Sequence, residues 1–423
     1  MKIDDLRTLA AEQWVPDRIE ALLRERDGRW TGEFRGLELS SHFQAILSPA
    51  HRRIVGTEGL IRARDAEGRP VSPPQVFARA TTDSDLVMLD RLTRAVHLRN
   101  FAAQAREGWL FLNTHPVAIT SGRRHGAFLE EMIRRCGIPA GRLVIEVLES
   151  ELIDDREFAD AVEYYRQFGC LIAIDDFGKG HSNVERIWRL KPDIVKLDRC
   201  LIAEAARSVP LRRAMPGLVA LLHQTGCLVV AEGVETQDEA VVAMDSDVDF
   251  LQGYLYARPT EQPVPDAAVA PPLERTWCEY RASVRGAIVQ YHERLRPYRG
   301  GIEQAAALYE AGQALESAAA GFLAIDGVDR CYLLDANGVQ VGANLMSAPA
   351  RERADARFAP ISDPTGADWS RRHYFRRALA EPGEVQVTRP YLSITGVRQC
   401  ITLSRAVEVG GRKAVLCGDV NWN

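Results

Sequence analysis

Eight short apolar runs, each followed by polar residues and a helical stretch, govern what this chain can fold into. They are HFQAIL (42–47), IVGTEGLIRA (54–63), WLFLNT (109–114), LVIEVLE (143–149), LIAIDDFG (171–178), IVKLD (194–198), LVVAEGV (228–234) and FLQGYLY (250–256). Between them lie amphipathic stretches at 86–107, 127–136, 155–168, 211–225 and 235–246. Runs of four to ten residues bounded by turn signals read as buried strands, and the longer periodic stretches read as helices. Such alternation over about 220 residues predicts an α/β fold, a (β/α)8 TIM-like barrel. An open doubly wound sheet alternates in the same way. No glycine-rich phosphate fingerprint opens any of the helices, and a count of eight suits closure.

The flanks read differently. Residues 1–35 are a helical lead-in, with Leu6, Leu9, Ala10, Trp14, Ile19, Leu22 and Leu23 at helical spacing before the break at Asp27-Gly28. The barrel is expected over 36–262. The segment 262–275, QPVPDAAVAPPLER, carries four prolines and reads as a linker. Residues 263–324 join this linker to a mostly helical segment from about 273 to 323, interrupted by Pro297 and Gly300-Gly301. From Gly327 the texture becomes β, with RCYLLDANGVQVGANL as a hairpin, so 325–423 is expected to form a second, smaller α+β domain. Hydrophobic residues at 46% and charged residues at 26% supply real cores. A net charge of −5 argues against a duplex nucleic-acid partner. The eight cysteines include no CxxC pair, and Cys136, Cys170, Cys200 and Cys227 read as reduced core residues. The first residues lack an apolar signal core, and no apolar run reaches the roughly 18 residues of a membrane span. A soluble cytoplasmic protein is expected.

Chemistry enters where polar residues fall on the barrel strands. Glu58 closes the second run, Asn113 the third, Glu146 the fourth, and Asp175 and Asp176 the fifth. Lys196 and Asp198 close the sixth, Glu232 and Glu235 the seventh, and Gln252 lies on the eighth. Strand ends of a barrel point into one shared mouth. Each residue alone reads as a satisfied polar group or helix cap. Together, converging carboxylates would be driven to take up protons unless cations neutralised them, which points to a metal site. Carboxylates and an amide, without histidine or cysteine, favour hard ions, Mg²⁺ or Mn²⁺. Adjacent Asp175 and Asp176 can serve two ions, an arrangement suited to in-line attack on a phosphodiester. Lys196 could orient or deprotonate the attacking water, and Arg62 could clamp a phosphate.

These residues resemble the EAL-domain cyclic-di-GMP phosphodiesterases over about residues 38–262. Glu58-Gly59-Leu60-Ile61-Arg62 is similar to the EAL signature with its arginine, and Asn113 to the family's third-strand asparagine. Glu146 with Glu149 is similar to the fourth-strand glutamates. Asp175-Asp176-Phe177-Gly178 resembles DDFG, and Lys196-Leu197-Asp198 resembles K-[IL]-D. Residues 231–236 resemble AEGVET, and Gln252-Gly253-Tyr254 with Arg258-Pro259 resembles the closing QGY…RP.

The resemblance implies that Glu58, Asn113, Glu146 and Asp175 hold one metal, and that Asp175, Asp176 and Glu232 hold the other. It implies that Lys196 contacts the attacking hydroxide. Gln44, Leu60, Arg62, Asp198, Glu235 and Gln252 would bind the nucleotide. Glu149 would anchor the loop after the fifth strand, which in the family shapes metal binding and a homodimer contact. The implied product is linear pGpG. Two departures stand out. Gly59 replaces the signature's alanine, with little effect expected. Residues 179–184, KGHSNV, replace the usual TGYSSL, so that Lys179 lies beside the two aspartates. No cyclase motif of the GGDEF type is present. The C-terminal part more loosely resembles a PAS/Cache-like sensor domain of bacterial signalling proteins, on residues 332–338, Tyr374-Phe375, 390–393 and 401–405. It is expected to bind a small molecule near Tyr374, Tyr391 or Arg405, or else only to dimerise. The alternative to a regulated enzyme is a cyclic-di-GMP receptor that signals by binding; a barrel lyase would leave Arg62 and Gln252 without a role.

Overall fold

The computed structural model describes residues 15–104, 107–119, 128–148, 156–180, 184–348, 350, 363–392 and 399–422. The chain divides into two compact units, Met1–Ser283 and Val284–Asn423, and the division falls inside the helix Asp266–Glu310.

The first unit opens differently from the helical lead-in expected. Leu6, Leu9, Ala10 and Trp14 lie outside the described residues, and the helix Pro16–Glu20 ends before Leu22. Residues from Leu23 form a hairpin of β1 (Leu23–Arg26) and β2 (Arg29–Phe34). Its two-residue turn, Asp27-Gly28, has both φ angles positive, at 53° and 73°, the geometry that Asp-Gly favours between twisted antiparallel strands. The local turn overrides the helical spacing.

The eight apolar runs supply the eight barrel strands. They are β3 (Leu37–Ser48), β4 (Arg53–Arg64), β6 (Trp109–Asn113), β7 (Leu143–Leu148), β8 (Leu171–Phe177), β9 (Ile194–Leu197), β10 (Leu228–Ala231) and β11 (Phe250–Leu251), while the short β5 (Pro70–Val71) pairs outside the ring on β4. Around the barrel the order is β3-β11-β10-β9-β8-β7-β6-β4, closed by β3 on β4. The regular (β/α)8 expectation needs one correction: β3 runs antiparallel to both neighbours, β4 and β11. Only residues 49–52 separate β3 from β4, far short of the dozen or so that a parallel crossover requires.

The helix Asp83–Ala103 starts with a capping box between Thr82 and Asp85 and buries Leu89, Leu92 and Val96 against the barrel. Among the cysteines, all of them free, Cys170 and Cys227 are buried as expected, Cys136 is half-buried, and Cys200 is exposed on the first turn of its helix. Among the described residues no helix is long and apolar enough to cross a membrane.

The expected linker at 262–275 is helical from Asp266, through Pro271 and Pro272. Val269, Leu273 and Thr276 are completely buried or nearly so, and the indole of Trp277 donates to the carbonyl of Pro49 at 3.0 Å. Burial of these side chains outweighs the proline penalty, so residues 266–283 belong to the barrel unit. The same helix passes Pro297 and Gly300-Gly301 unbroken to Glu310. A Cβ on Gly301 would come within 2.5 Å of Ile325 and 3.1 Å of Phe322, so the glycine is a close-approach point within the second unit rather than a breaker.

The second unit is built on an antiparallel sheet. Its strands are β12 (Val328–Asp335), β13 (Gln340–Met346), β14 (Gln386–Val387), β15 (Tyr391–Leu392), β16 (Gln399–Val409) and β17 (Arg412–Asn421), in the order β13-β12-β17-β16-β14 with β15 also on β16. Leu295, Ile302 and Phe322, from the helices Asp266–Glu310 and Leu315–Leu323, share one core with Leu403 and Leu416 of the sheet. The helices of 284–323 therefore fold with the sheet and do not stand apart as a segment of their own.

Candidate active site

One apolar layer explains where the polar residues stand. Ile46, Phe111, Val144, Ala173, Ile194, Val230 and Phe250, one from each of seven barrel strands, form a separate buried cluster inside the barrel. Side chains alternate along a strand, so residues two positions away point into the same lumen. Two steps toward the mouth from this plug lie Gln44, Asn113, Glu146, Asp175, Lys196, Glu232 and Gln252. The eighth strand has Gly56 at the plug level, where a Cβ would meet the Trp109 carbonyl at 2.9 Å, and Glu58 two residues on. The register agrees: Gln44 faces Glu58 and Asn113 faces Glu146. Glu58 does not close its strand as expected; β4 continues six residues to Arg64, because it pairs along its length with β3.

Lys196 is the centre of this ring and is only 1% exposed. Its Nζ is ion-paired to Glu146, to Glu232 at 2.5 Å, to Asp175 at 3.2 Å and to Glu58 at 3.6 Å. Burial alone would discharge the ammonium, but the charges of Asp175, Glu146, Glu232 and Glu58 hold its pKa well above the usual lysine range. Burial first, and the neighbouring carboxylates next, push Glu146 and Glu232 well above the usual carboxylate range. The carboxylate of Glu58 accepts from Asn113 Nδ2 and from Gln252 Nε2, both at 2.7 Å. Gln252 Nε2 also reaches Gln44 Oε1 at 3.4 Å, and Gln44 is tied to the carbonyl of Ala257.

The adjacent aspartates need a device, since neighbours on a regular strand point to opposite faces. The register between β8 and β9 shifts between Ile174 and Phe177, and Asp176 takes a left-handed φ of 58°. Both carboxylates then reach Glu232.

The donor set fits divalent cations. Oxygens of Glu58, Glu146 and Glu232 lie within 4.8 Å of one another, and so do those of Asp175, Asp176 and Glu232. Among the described residues the buried Glu146 Oε2 has no hydrogen-bond partner, a costly state for a carboxylate unless a cation takes it up. All the donors are oxygens, which suits hard ions.

Of the other expected residues, Leu60 and Arg62 follow Glu58 at two-residue spacing on β4, and Arg62 is half-buried. Asp198 is buried and caps the helix Arg199–Arg207, its carboxylate accepting from Cys200 N at 2.8 Å, so it serves a structural role in addition to its place at the mouth. Glu235 is exposed, 3.7 Å from Arg199. Glu149, and residues 181–183 of the altered loop, lie outside the described residues. Lys179 is described: its Nζ contacts Asp176 Oδ2 at 2.7 Å.

Gly59 matters more than the sequence suggests. A Cβ there would lie 2.9 Å from the ring of His97, which is buried and shares a 2.8 Å hydrogen bond with Ser41. The missing methyl accommodates the imidazole on the helix behind the strand. His97 carries no motif and escaped sequence reasoning; the glycine in the signature was its sole trace. Desolvation, reinforced by the charge of Arg62, lowers the His97 pKa to about 3.

Comparison with known proteins agrees with this site. The family model described as the EAL domain matches residues 28–259, more than half of the chain. The probable cyclic di-GMP phosphodiesterase PdeD of Escherichia coli is 28% identical over 51% of this chain and 40% of its own length. The blue light- and temperature-regulated antirepressor BluF of Escherichia coli is 24% identical over 53% of this chain and 55% of its own length. The chain thus spans about half, or less, of these relatives. The Bacillus subtilis YkuI protein, with an EAL domain and solved with cyclic di-GMP and calcium, superposes with a TM-score of 0.76 at 20% identity, over 91% of this chain and 96% of its own, a likeness of fold. With its carboxylate ring, its lysine and the match over the whole barrel, the chain belongs to the EAL domain family.

Proposed function

We propose that this chain is a metal-dependent phosphodiesterase that opens cyclic di-GMP to linear pGpG. The observation that carries the reading is the buried carboxylate ring around Lys196, with Glu58, Asn113, Glu146, Asp175, Asp176 and Glu232 all present and a Glu146 oxygen without a partner among the described residues. Relatives that bear the name of cyclic di-GMP phosphodiesterases, PdeD among them, support it.

Two divalent ions, Mg²⁺ or Mn²⁺, would supply water activation and stabilisation of the leaving oxygen. Glu58, Asn113, Glu146 and Asp175 would hold one, and Asp175, Asp176 and Glu232 the other. The protein's own groups do the rest. Asn113 and Gln252 fix the Glu58 carboxylate from both sides, so it meets a cation without rearranging. Lys196, charged and immobile, donates to the attacking oxygen and orients it toward phosphorus. Arg62 clamps a non-bridging phosphate oxygen. Leu60, Gln44, Asp198, Glu235 and Gln252 line the nucleotide at the mouth.

The second unit, with its antiparallel sheet and helices, suits a regulatory PAS/Cache-like domain, and the working assembly is a homodimer. One observation favours a second reading. Lys179 occupies Asp176, and a relative as similar as BluF bears the name of an antirepressor. In that reading the chain is a receptor that binds the nucleotide without turnover. A single assay separates the two: purified protein, cyclic di-GMP and Mg²⁺ or Mn²⁺, with pGpG followed over time. Metal-dependent pGpG release is expected. Saturable binding without product overturns the enzyme reading in favour of the receptor.

A further inference from the structure

The second unit holds a cavity of about 390 Å³, within the size range of small-molecule sites. The helix His373–Ala380 and the β14–β15 segment form its walls. Arg372, Arg377 and Arg389 line it, together with Tyr374, Tyr391 and Val387. Among the described residues, none of these three guanidinium groups is ion-paired to a carboxylate; Arg372 lies over the rings of Trp369 and Tyr391. No described carboxylate lines the cavity, and Glu381 accepts from Gln386 of the lining at 2.7 Å, so three cations around one concave surface leave a positive potential that a bound anion would neutralise.

The aromatic wall is held rigidly from behind. The hydroxyl of Tyr391 pairs with Thr402 at 2.6 Å, Thr402 donates to Asp419 at 2.7 Å, and Arg330 donates to the other Asp419 oxygen at 2.7 Å. Tyr332 donates to the hydroxyl of Tyr374 at 3.2 Å, and Ser404 donates to the Tyr374 carbonyl. Asp419 is thereby consumed by its own buried partners and does not neutralise the arginines. A pre-formed aromatic wall beside guanidinium groups that no described carboxylate pairs is suited to a small molecule with an apolar body and an oxyanion end.

We propose that this cavity binds a small organic oxyanion, a carboxylate or a phosphate, with Arg377 and Arg389 as the anion-binding groups and Arg372 held between them and the aromatic wall. The proposal is independent of whether the barrel turns over cyclic di-GMP. The test is calorimetric titration of the full chain, without added metal, by succinate, by inorganic phosphate, and by uncharged succinamide as control. Saturable binding of succinate or phosphate, with a Kd below about 1 mM, is expected, and the tighter of the two identifies the source of the anion. Succinamide is expected to give no binding. Arg377 and Arg389 are both exposed, so the R377Q/R389Q double variant keeps the fold, checked by its circular-dichroism melt, and should weaken the anion about tenfold or more. Absence of binding by both anions overturns the proposal. So does equal affinity for succinamide, or unchanged affinity in the double variant, which would place any binding elsewhere.

Discussion

Glu58 and Gly59 are neighbours that face opposite sides of one strand, and each is constrained by what it meets. Inside the barrel, the Glu58 carboxylate is gripped by two amides and faces Lys196. Glu58→Ala should lower pGpG production by about 100-fold or more, since loss of a group that merely supports a metal ligand already costs about 10–100-fold, while the barrel stays folded because Glu146, Asp175 and Glu232 still surround Lys196. Near wild-type turnover in that variant would refute the assigned site. Outside the barrel, Gly59→Ala would drive a methyl into a ring that Ser41 holds in place, an overpacking cost of roughly 1–3 kcal/mol readable as a lower urea midpoint. His97→Ala in the same chain should relieve the clash, so the double variant should lose less than the two single variants added together. His97 also makes the barrel acid-sensitive. Its pKa of about 3 in the fold lies below the ordinary 6.5, so the unfolded chain takes up the proton first. Its contribution to stability is therefore complete above pH 6.5 and declines as pH falls from there toward 3. The urea midpoint of the wild type should drop between pH 7 and pH 5, and in His97→Gln it should drop less.

At the scale of the element, the polar residues that close the apolar runs were what sequence could read, and Glu146, Asp175, Lys196 and Glu232 were found that way. The apolar layer beneath them, with Ala173 two residues before Asp175 and Ile194 two before Lys196, came from the structure. The antiparallel β3 is legible too, because the six residues 48–53 between the first two runs are too few for a parallel crossover. Other features were not local enough to read. The shift in β8 that turns Asp176 inward depends on pairing with β9, and the burial that carries a helix through Pro271, Pro272 and Pro297 depends on partners distant in sequence. The Lys179–Asp176 pair belongs to this class, since adjacency suggested it and only the left-handed turn brings the two groups together. Lys179 is largely exposed, so the pair adds little stability, yet it competes for the carboxylate that would take a cation. Lys179→Thr should therefore tighten Mn²⁺ binding, by roughly threefold if the pair is worth about 0.6 kcal/mol. Calorimetric titration with Mn²⁺ alone reads this without any turnover. Equal or weaker Mn²⁺ affinity in the variant would mean that the lysine does not compete.

For the whole molecule, the boundary between units decides which truncations are informative. A cut at residue 265, in the proline-rich stretch that looks like a linker, would strip Val269, Leu273 and Trp277 from the barrel core. Loss of the two fully buried aliphatic side chains alone should cost roughly 3 kcal/mol or more. Residues 1–265 should thus unfold at a clearly lower temperature than residues 1–283, and a rate measured on the shorter piece would report damage to the barrel. The piece 1–283 keeps those contacts and removes the second unit entire, together with its arginine-lined cavity. If that unit regulates the barrel, it does so through a difference in free energy between two arrangements of the site, and removing it must shift the balance one way or the other. The expected outcome is a changed rate of pGpG production by residues 1–283 relative to the full chain, at saturating metal and nucleotide, with the affinity for cyclic di-GMP retained. Equal rates and equal oligomeric state in the two proteins would leave the second unit without a regulatory role.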